Sequence, residues 1–177
     1  SKFMAIKTIF LDRDGVINRE INYLHKQDEF EFIDDIFSVC HLFKKLQYEI
    51  IIITNQSGIA RGFYKESEYQ NLTKWMIDQF NKQGIDILDI FHCPHGPESN
   101  CSCRKPKPGM LFAAKSKYNI DMTQSWMIGD KDSDISAANS AGIHQTIMLK
   151  SIHNDKNYDS SASYYINSLK EIKKIVT

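Results

Sequence analysis

Short runs of apolar, largely β-branched residues alternate along this chain with longer amphipathic segments. The run EIIIITN at 49–55 has the composition of a buried strand. The segment before it, DDIFSVCHLFKKLQY at 34–48, repeats apolar residues at the spacing of one helical face. Alternation of this kind predicts an α/β fold, in which a parallel sheet carries helices on both faces.

The same pattern continues to the end of the chain, so we expect one domain that spans residues 1–177. A polar segment at 151–161 is predicted to be a loop. The other strands are predicted at 5–12, 85–93, 125–130 and 144–150, the other helices at 66–84, 108–119 and 132–142, and a last short strand and helix within 163–176.

Charge and composition limit the possible partners. Lysine plus arginine and aspartate plus glutamate number 22 each, so no net positive field draws the chain to nucleic acid or to an acidic membrane. No apolar run approaches the roughly 20 residues of a membrane span. The first residues also lack the layout of a signal peptide, and only four cysteines are present. We therefore expect a cytoplasmic monomer that binds neither nucleic acid nor a membrane.

Polar and charged residues follow four of the predicted strands. Because the carboxyl ends of parallel strands meet at one edge of a sheet, these residues are expected to lie together there. Acids come from two of the loops, a hydroxyl from another, and basic side chains from a third. In chain order the residues are Asp12 and Asp14, Thr54 and Asn55, Arg104, Lys105 and Lys107, and Asp130, Lys131, Asp132 and Asp134.

This combination of groups suits phosphoryl transfer. Asp12 and Asp130, with a backbone carbonyl nearby, offer the hard oxygen ligands that Mg²⁺ prefers. A carboxylate can also attack phosphorus, while lysine and threonine side chains hold the phosphoryl oxygens. Two residues beyond Asp12, the side chain of Asp14 can protonate the departing alkoxide and later activate water.

A second chemical signal is the stretch FHCPHGPESNCSCRKPKPGM at 91–110. Cys93, His95, Cys101 and Cys103 offer three sulfurs and one imidazole, which is a typical ligand set for structural zinc. The pairs are separated by one residue, a tighter spacing than usual, so spacing alone favours zinc without establishing it. His92 is a rival ligand that is better interpreted as a packing residue, and Lys107 is interpreted as a solvated charge.

The segments FLDRDGVIN, ITNQSGIARG, CRKPKPGM and IGDKDSD resemble, in order, the four motifs of the haloacid dehalogenase (HAD) phosphatases. The resemblance implies a Rossmann-like domain with Asp12 as nucleophile and Asp14 as general acid and base. It implies that Thr54 and Lys105 hold the phosphate. It also implies that catalytic Mg²⁺ binds Asp12, the backbone carbonyl of Asp14, and Asp130.

The phrases TNQSGIARG, HCPH and CSCRKPKPGM resemble a subgroup of that family, the heptose bisphosphate phosphatases and the related histidinol-phosphate phosphatases. This likeness implies that Zn²⁺ on the four Cys and His residues is structural and orders the loop that carries Arg104. It implies a small phosphorylated sugar as the substrate. The residues it implies for substrate binding are Glu20, Tyr23, Asn55, Gln56, Ser57, Arg104 and Lys131.

The interval between Asp14 and Thr54 already holds a predicted helix and strand, so it has no room for a separate cap domain. Specificity is then expected to come from short loops, mainly residues 18–30 and the cysteine-rich loop. The loop after Asp14 matches the subgroup only loosely, with Glu20 where an aspartate is usual, and this loosens the assignment of the substrate.

Three hypotheses follow. The first is a phosphatase that removes the 7-phosphate of D-glycero-D-manno-heptose 1,7-bisphosphate through an aspartyl-phosphate, in the synthesis of nucleotide-activated heptose. The second is a histidinol-phosphate phosphatase. The third is a zinc-binding interaction module that has lost catalysis, and the presence of both Asp12 and Asp14 argues against it.

Overall fold

The computed structural model describes residues 4–150 and 161–177 of the chain. Within these ranges six strands form one parallel sheet with the order β3-β2-β1-β4-β5-β6. This arrangement confirms the predicted α/β fold. The strands are β1 (Thr8–Leu11), β2 (Glu49–Asn55), β3 (Asp89–Cys93), β4 (Trp126–Gly129), β5 (Gln145–Leu149) and β6 (Tyr164–Ile166).

Among the described residues, four α-helices and three short 3-10 helices connect and cover the strands. The predicted helix at the end of the chain is of the 3-10 type, and the loop predicted at 151–161 lies almost entirely outside the described residues. The α-helices are α1 (Ile36–Lys45), α2 (Glu66–Lys82), α3 (Gly109–Tyr118) and α4 (Asp132–Ser140), and the 3-10 helices lie at Gln27–Glu29, Met122–Gln124 and Leu169–Lys174.

The two faces of the sheet bury separate apolar clusters, because successive side chains of a strand point in opposite directions. Ile50 and Ile52 of β2 face a cluster that includes residues of α1, α2 and the last 3-10 helix. Ile51 and Ile53 face the opposite cluster, which includes residues of α3 and α4. All four isoleucines are fully buried, which explains the unbroken apolar run in the sequence.

The third strand is shorter than the sequence predicts. The alternating apolar residues of 85–93 suggest a strand from Ile85, but the strand begins at Asp89. Gly84, with φ of +75°, ends the preceding helix, and the Ile85 amide donates to the Phe80 carbonyl at 3.0 Å. These residues therefore complete the end of α2 before the chain enters the sheet.

The order of the strands sets the position of the site. The chain runs outward from β1 through β2 and β3 on one side, and from β4 through β5 and β6 on the other. Such a reversal leaves a crevice beyond the carboxyl ends of β1 and β4. Across the two described ranges, we find no helix with the length and apolar character needed to cross a membrane.

Candidate active site

A buried lysine lies between two aspartates at the carboxyl edge of the sheet. Lys105 Nζ donates to Asp12 Oδ1 at 3.0 Å, to Asp134 Oδ1 at 2.6 Å and to the Ile53 carbonyl at 2.9 Å. All three charged side chains are almost fully buried. The loops after β1 and β4 and the cysteine-rich loop therefore meet at one point, as the sequence predicts.

Two glycines allow the acids to pack so closely. Gly15 has φ of +94°, and a Cβ there would lie 2.0 Å from Asp130 Oδ2. At Gly129 a Cβ would lie 2.3 Å from the Cβ of Asp134. Any larger residue at either position would displace a carboxyl group, so the glycines of DRDG and IGDK are required by the site itself.

The three carboxyl groups of Asp12, Asp130 and Asp134 offer oxygens that all lie within 4.8 Å of one another. Burial raises the pKa of Asp130 to about 9, and the neighbouring Asp12 carboxylate adds to the rise. Burial and the Asp134 carboxylate likewise raise the pKa of Asp12 to about 6, although Lys105 and Lys131 oppose the shift. The two lysines do not offset three ionised carboxylates, so full ionisation of the cluster is unfavourable without a further positive charge, which a divalent cation would supply.

Asp14 lies in a different environment from the other acids. Its Oδ1 accepts bonds from Arg13 Nη2 at 3.0 Å and Asn18 Nδ2 at 3.0 Å, and its Oδ2 accepts one from Gln56 Nε2 at 3.1 Å. Burial alone would raise the pKa of Asp14, but the Arg13 guanidinium and the Asn18 amide hold it below its usual value. The side chain keeps 21% of its surface exposed and faces the cavity described next.

A cavity of about 680 Å³ opens above these groups and carries charges of both signs. Its walls come from the loops after β1, β2 and β4 and from the cysteine-rich loop. The charged residues that line it are Asp12, Asp14, Glu20, Glu98, Arg104, Lys105, Lys107, Lys131 and Asp134.

Most of the residues predicted to bind substrate do line this cavity. Glu20, Asn55, Ser57, Arg104 and Lys131 belong to its walls. Lys131 Nζ lies 3.3 Å from Glu20 Oε2, so two loops that are distant in sequence form an ion pair across the rim.

Tyr23 and Gln56 are the two exceptions, since neither is among the residues that line this cavity. Tyr23 stacks on Phe63 at a ring distance of 4.2 Å, away from the cavity walls. Gln56 is 3% exposed and points inward to Asp14 and Thr54. Gln56 therefore points away from the cavity, whereas the Tyr23 ring keeps 37% of its surface exposed, so its contact with substrate stays a prediction.

Thr54 and Asn55 hold other parts of the site in position. Thr54 is fully buried, and its Oγ1 accepts a bond from Gln56 Nε2 at 2.9 Å. Asn55 pairs with the backbone of Lys105, since its Oδ1 accepts from the Lys105 amide at 3.1 Å and its Nδ2 donates to the carbonyl at 3.2 Å. Asn55 therefore fixes the lysine that contacts Asp12.

The cysteine-rich loop, residues 94–108, contains no helix or strand. Cys93 Sγ lies 3.5 Å from His95 Nδ1 and 3.7 Å from Cys101 Sγ, and Cys103 Sγ lies 3.5 Å from His95 Nδ1. Tetrahedral zinc with Zn–S bonds of about 2.3 Å separates its ligand atoms by about 3.5–3.8 Å. The Cys93–Cys103 contact is shorter, at 2.7 Å, and the four cysteines of the chain are free thiols. The donor set and most of its spacing therefore fit zinc.

His92 lies outside this cluster, as the sequence interpretation favoured. Its Nε2 lies 2.7 Å from Glu66 Oε1, and its ring packs on Tyr69 at 4.2 Å. Lys107 was interpreted as a solvated charge, and it is exposed; it also lies at the rim of the cavity, where its Nζ donates to the Cys101 carbonyl at 3.0 Å. The role of Arg13 was also missed, although a charge inside the apolar context of FLDRDGVIN signals a buried partner.

Comparison with known proteins identifies the family. A family model described as HAD-hydrolase-like matches residues 102–172. A D-glycero-alpha-D-manno-heptose-1,7-bisphosphate 7-phosphatase of Photorhabdus laumondii is 51% identical over 155 residues, which are 84% of this chain and 85% of that protein. A D-glycero-beta-D-manno-heptose-1,7-bisphosphate 7-phosphatase of the same organism is 40% identical over 182 residues, and the match covers 97% of this chain and 96% of that protein.

Among solved structures, the D,D-heptose 1,7-bisphosphate phosphatase of B. bronchiseptica, complexed with magnesium and phosphate, superposes with a TM-score of 0.82. It is 26% identical, and the match covers 96% of this chain and 97% of that one. The chain therefore belongs to the HAD-like hydrolases, in the family of the heptose-1,7-bisphosphate 7-phosphatases. It is a phosphatase, an enzyme that hydrolyses phosphoric monoesters.

Proposed function

We propose that the protein removes the 7-phosphate of D-glycero-D-manno-heptose 1,7-bisphosphate, as a step toward nucleotide-activated heptose. The observation that carries this proposal is the meeting of Asp12, Asp14 and Lys105 beneath a cavity with a cationic rim, in a chain that is 51% identical to a phosphatase of that name. Four loops contribute to this arrangement, and each supplies the type of residue that the reaction needs.

The first half of the reaction transfers the phosphoryl group to the enzyme. A carboxylate oxygen of Asp12 attacks phosphorus and forms the aspartyl-phosphate bond, while the bond from phosphorus to the sugar oxygen breaks. The proton of Asp14 goes to that departing oxygen. Lys105, held 3.0 Å from Asp12, is positioned to offset the negative charge of the transferred group.

The second half regenerates the enzyme. Asp14, now a carboxylate, takes a proton from a water molecule that attacks the same phosphorus atom. The bond between Asp12 and phosphorus breaks, so inorganic phosphate leaves and Asp12 returns to its carboxylate form. The donors around Asp14 hold its pKa below the usual value in the free protein, which favours this base step. The negative charge of a phosphate bound beside Asp14 would favour the protonated form that the first half requires.

The acid cluster suits Mg²⁺, with Asp12, the backbone carbonyl of Asp14, and Asp130 as its proposed protein ligands. Their crowded carboxyl oxygens, and the raised pKa of Asp130, are the features that support a cation there. When bound, Mg²⁺ would offset the repulsion between the carboxylates and the phosphate dianion. Asp134, which bonds to Lys105, would support the site from behind.

We propose structural Zn²⁺ on Cys93, His95, Cys101 and Cys103. The four donor atoms are close enough to share one ion; Cys93 ends β3, and the other three lie in the loop that lacks regular structure. A fully protein-ligated zinc ion would order that loop. Its proposed consequence is that Arg104 and Lys105, which directly follow the last cysteine, are presented to the cavity.

The second phosphate of the substrate is proposed to bind the cationic rim. Arg104, Lys107 and Lys131 all line the cavity, and a phosphate dianion can accept bonds from such side chains. Lys131 is paired with Glu20 at 3.3 Å, so a phosphate that binds Lys131 would replace or share this carboxylate contact.

We propose further that the α-anomer is preferred. The support is the pair of relatives from one organism, since the α-specific phosphatase is 51% identical to this chain and the β-specific one 40%. We also propose a cytoplasmic location, since cysteines that bind zinc must stay reduced.

Phosphate release should be measured in one assay with the α- and β-anomers of heptose 1,7-bisphosphate and with histidinol phosphate, with Mg²⁺ present. We expect kcat/KM for the α-anomer to exceed that for the β-anomer by about tenfold or more, and that for histidinol phosphate by about a thousandfold, since missing charge contacts each change binding by about 1.5–3 kcal/mol. A preference for histidinol phosphate would overturn the proposed substrate, and a preference for the β-anomer would overturn the anomer assignment alone.

The histidinol-phosphate alternative rests on Glu20, the acidic group that could meet the amine of that substrate. Glu20 does line the cavity, but its carboxylate already pairs with Lys131. The charge is therefore largely offset, which favours the sugar bisphosphate. A non-catalytic zinc module has no use for the Asp12, Asp14 and Lys105 arrangement, and the family of the chain consists of enzymes.

A further inference from the structure

The buried amide of Gln56 connects two groups of the proposed reaction. Its Nε2 donates to Asp14 Oδ2 at 3.1 Å and to Thr54 Oγ1 at 2.9 Å, and its backbone amide donates to the Cys93 carbonyl at 2.7 Å. The residue is 3% exposed, so it contacts other protein groups and not the contents of the cavity.

The other end of the amide is fixed by Tyr64. The Tyr64 hydroxyl donates to Gln56 Oε1 at 2.5 Å, and the tyrosine is 5% exposed. Its ring lies against Gly58, where a Cβ would come within 2.1 Å of it, and stacks on His25 at 5.2 Å. Both ends of the Gln56 amide are therefore bonded, and its orientation is set by a ring that cannot easily move.

The two oxygens of Asp14 are held by different parts of the chain. Oδ1 is bonded by Arg13 and Asn18, which belong to the same loop as Asp14. Of the side chains in the described ranges, Gln56 alone donates to Oδ2, and it comes from the loop after β2. Without Gln56, the carboxyl group would be tied only to its own loop and could rotate about its bond to Cβ.

We propose that Gln56 is a positioning residue that fixes the carboxyl plane of Asp14 relative to the Thr54 hydroxyl. The proposal rests on the role of Asp14 as general acid in the proposed function. Gln56 Nε2 contacts both Asp14 and Thr54, so it fixes the orientation of the Asp14 carboxyl group relative to the Thr54 hydroxyl, which is proposed to hold phosphate. Gln56 acts through these neighbours and does not touch the substrate.

Substrates with different leaving groups can show whether Gln56 positions Asp14 or only supports the structure of the site. A sugar alkoxide needs a proton as it departs, whereas nitrophenolate from p-nitrophenyl phosphate departs readily without one. The ratio kcat/KM reports steps up to the first irreversible one, so it excludes the later hydrolysis of the aspartyl-phosphate. A misplaced Asp14 should therefore lower kcat/KM for the sugar phosphate and leave the aryl phosphate nearly unchanged.

The decisive variant is Gln56→Met, which keeps the shape of the side chain and removes all three amide contacts. We expect kcat/KM for heptose bisphosphate to fall about 10–100-fold and that for p-nitrophenyl phosphate to fall less than about threefold, because general acid catalysis contributes about 10²–10⁴-fold. Tyr64→Phe removes only the bond to Oε1, so the same contrast should appear at a smaller size.

Thr54→Val is the comparison variant. It removes a hydroxyl proposed to hold phosphate, so it should lower kcat/KM for both substrates by a similar factor. If Gln56→Met behaves in the same way, or changes neither substrate, Gln56 does not position the acid. Thermal unfolding of each variant identifies loss of folding, and Gln56→Leu, which also removes the donor to Asp14 and adds no charge beside it, provides the same test if the methionine variant is unstable.

The outcome is distinguishable from failure of the proposed substrate. The wild-type activity on p-nitrophenyl phosphate reports the phosphatase chemistry without reference to heptose. If the wild-type enzyme does not act on heptose bisphosphate, the alkyl arm of the comparison is run with histidinol phosphate, whose leaving group also needs a proton. An equal loss on alkyl and aryl substrates would then overturn the role of Gln56.

Discussion

The acid cluster and the cysteine-rich loop share one cavity but are held together by opposite means. In the cluster, Asp12 and Asp130 follow buried strands directly, so the sheet fixes their backbone. In the loop, residues 94–108 have no helix or strand, and the groups brought together are the side chains of three cysteines and a histidine. In the acid cluster the strands of the sheet position the charged side chains, whereas in the cysteine-rich loop the clustered side chains hold the backbone in place.

Lys105 belongs to both regions. Its backbone lies in the cysteine-rich loop and is paired with Asn55, while its ammonium group lies among the acids. The chemistry of the cluster therefore depends on the order of the loop. We expect substitutions in the two regions to have different effects. A substitution in the acid cluster should abolish activity and leave the fold intact, whereas one in the cysteine-rich loop should loosen the loop and lower activity only in part.

The largest effect is expected from Asp12→Asn. The amide oxygen can still accept from Lys105 and from the Arg13 amide, so the packing is kept, but an amide does not attack phosphorus. Turnover of the sugar phosphate should fall by at least about 10⁴-fold, as for other nucleophile knockouts. Steady-state phosphate release measures this loss.

The fold of that variant is its control. It should still unfold in one cooperative transition, and its zinc content should match that of the wild-type protein, because neither the cysteine-rich loop nor the apolar core is changed. Activity within about tenfold of wild type would show that Asp12 is not the nucleophile.

The same division explains how much of the site the sequence predicts. The positions after β1 and β4 could be predicted because parallel strands end at one edge, so Asp12, Asp14 and Asp130 needed no knowledge of the loops. The direction of a side chain within an irregular loop has no such rule. Gln56 was predicted to contact the substrate, yet it is buried and points to Asp14 and Thr54.

The limits of the fold prediction have a similar cause. β2 was predicted with its correct ends, since its apolar run is bounded by polar residues. The start of β3 was wrong by four residues, because the bond from the Ile85 amide to Phe80 extends the end of α2 into an apolar run. Local hydrogen bonds of this kind compete with the periodic pattern and leave no trace in it.

An intermediate effect is expected from Cys103→Ser, which tests the loop. Serine is a poor zinc ligand, so the zinc content should fall from about one ion per chain to well below half. Lys105 should then be held less firmly, and kcat/KM for the sugar phosphate should fall by about 3–30-fold, an effect of the size seen for changes behind the directly bound groups. Elemental analysis and kinetics on the same preparation measure both.

Cys40→Ala is the matched control for that experiment. Cys40 is fully buried in α1 and lies outside the zinc cluster, so its loss should lower stability without changing zinc content. Unchanged zinc in Cys103→Ser, or full activity after zinc is lost, would contradict the proposed link between the ion and the active site.

The smallest effect is a gain of stability from Asp130→Asn in protein that contains zinc but no Mg²⁺. Burial and the Asp12 carboxylate raise the pKa of Asp130 to about 9, so at neutral pH its carboxyl group remains protonated when the unfolded chain would ionise it. An amide of the same shape avoids this cost and still fits against Gly15. We expect the unfolding midpoint to rise by about 2–8 °C, the shift that about 1–2 kcal/mol produces in a domain of this size.

Asp132→Asn is the control of opposite sign, because Asp132 is the first residue of α4 and a negative charge is favourable at a helix N-terminus. That variant should melt slightly lower than wild type. Adding Mg²⁺ should raise the midpoint of wild type and of Asp132→Asn but not that of Asp130→Asn, since only the last has lost a proposed ligand. A lower midpoint for Asp130→Asn without Mg²⁺ would mean that the contact between Asp130 and Lys131 outweighs the cost of burying the Asp130 carboxyl group beside Asp12. The crowding of acids would then not destabilise the cluster, and the contrast with the cysteine-rich loop would fail.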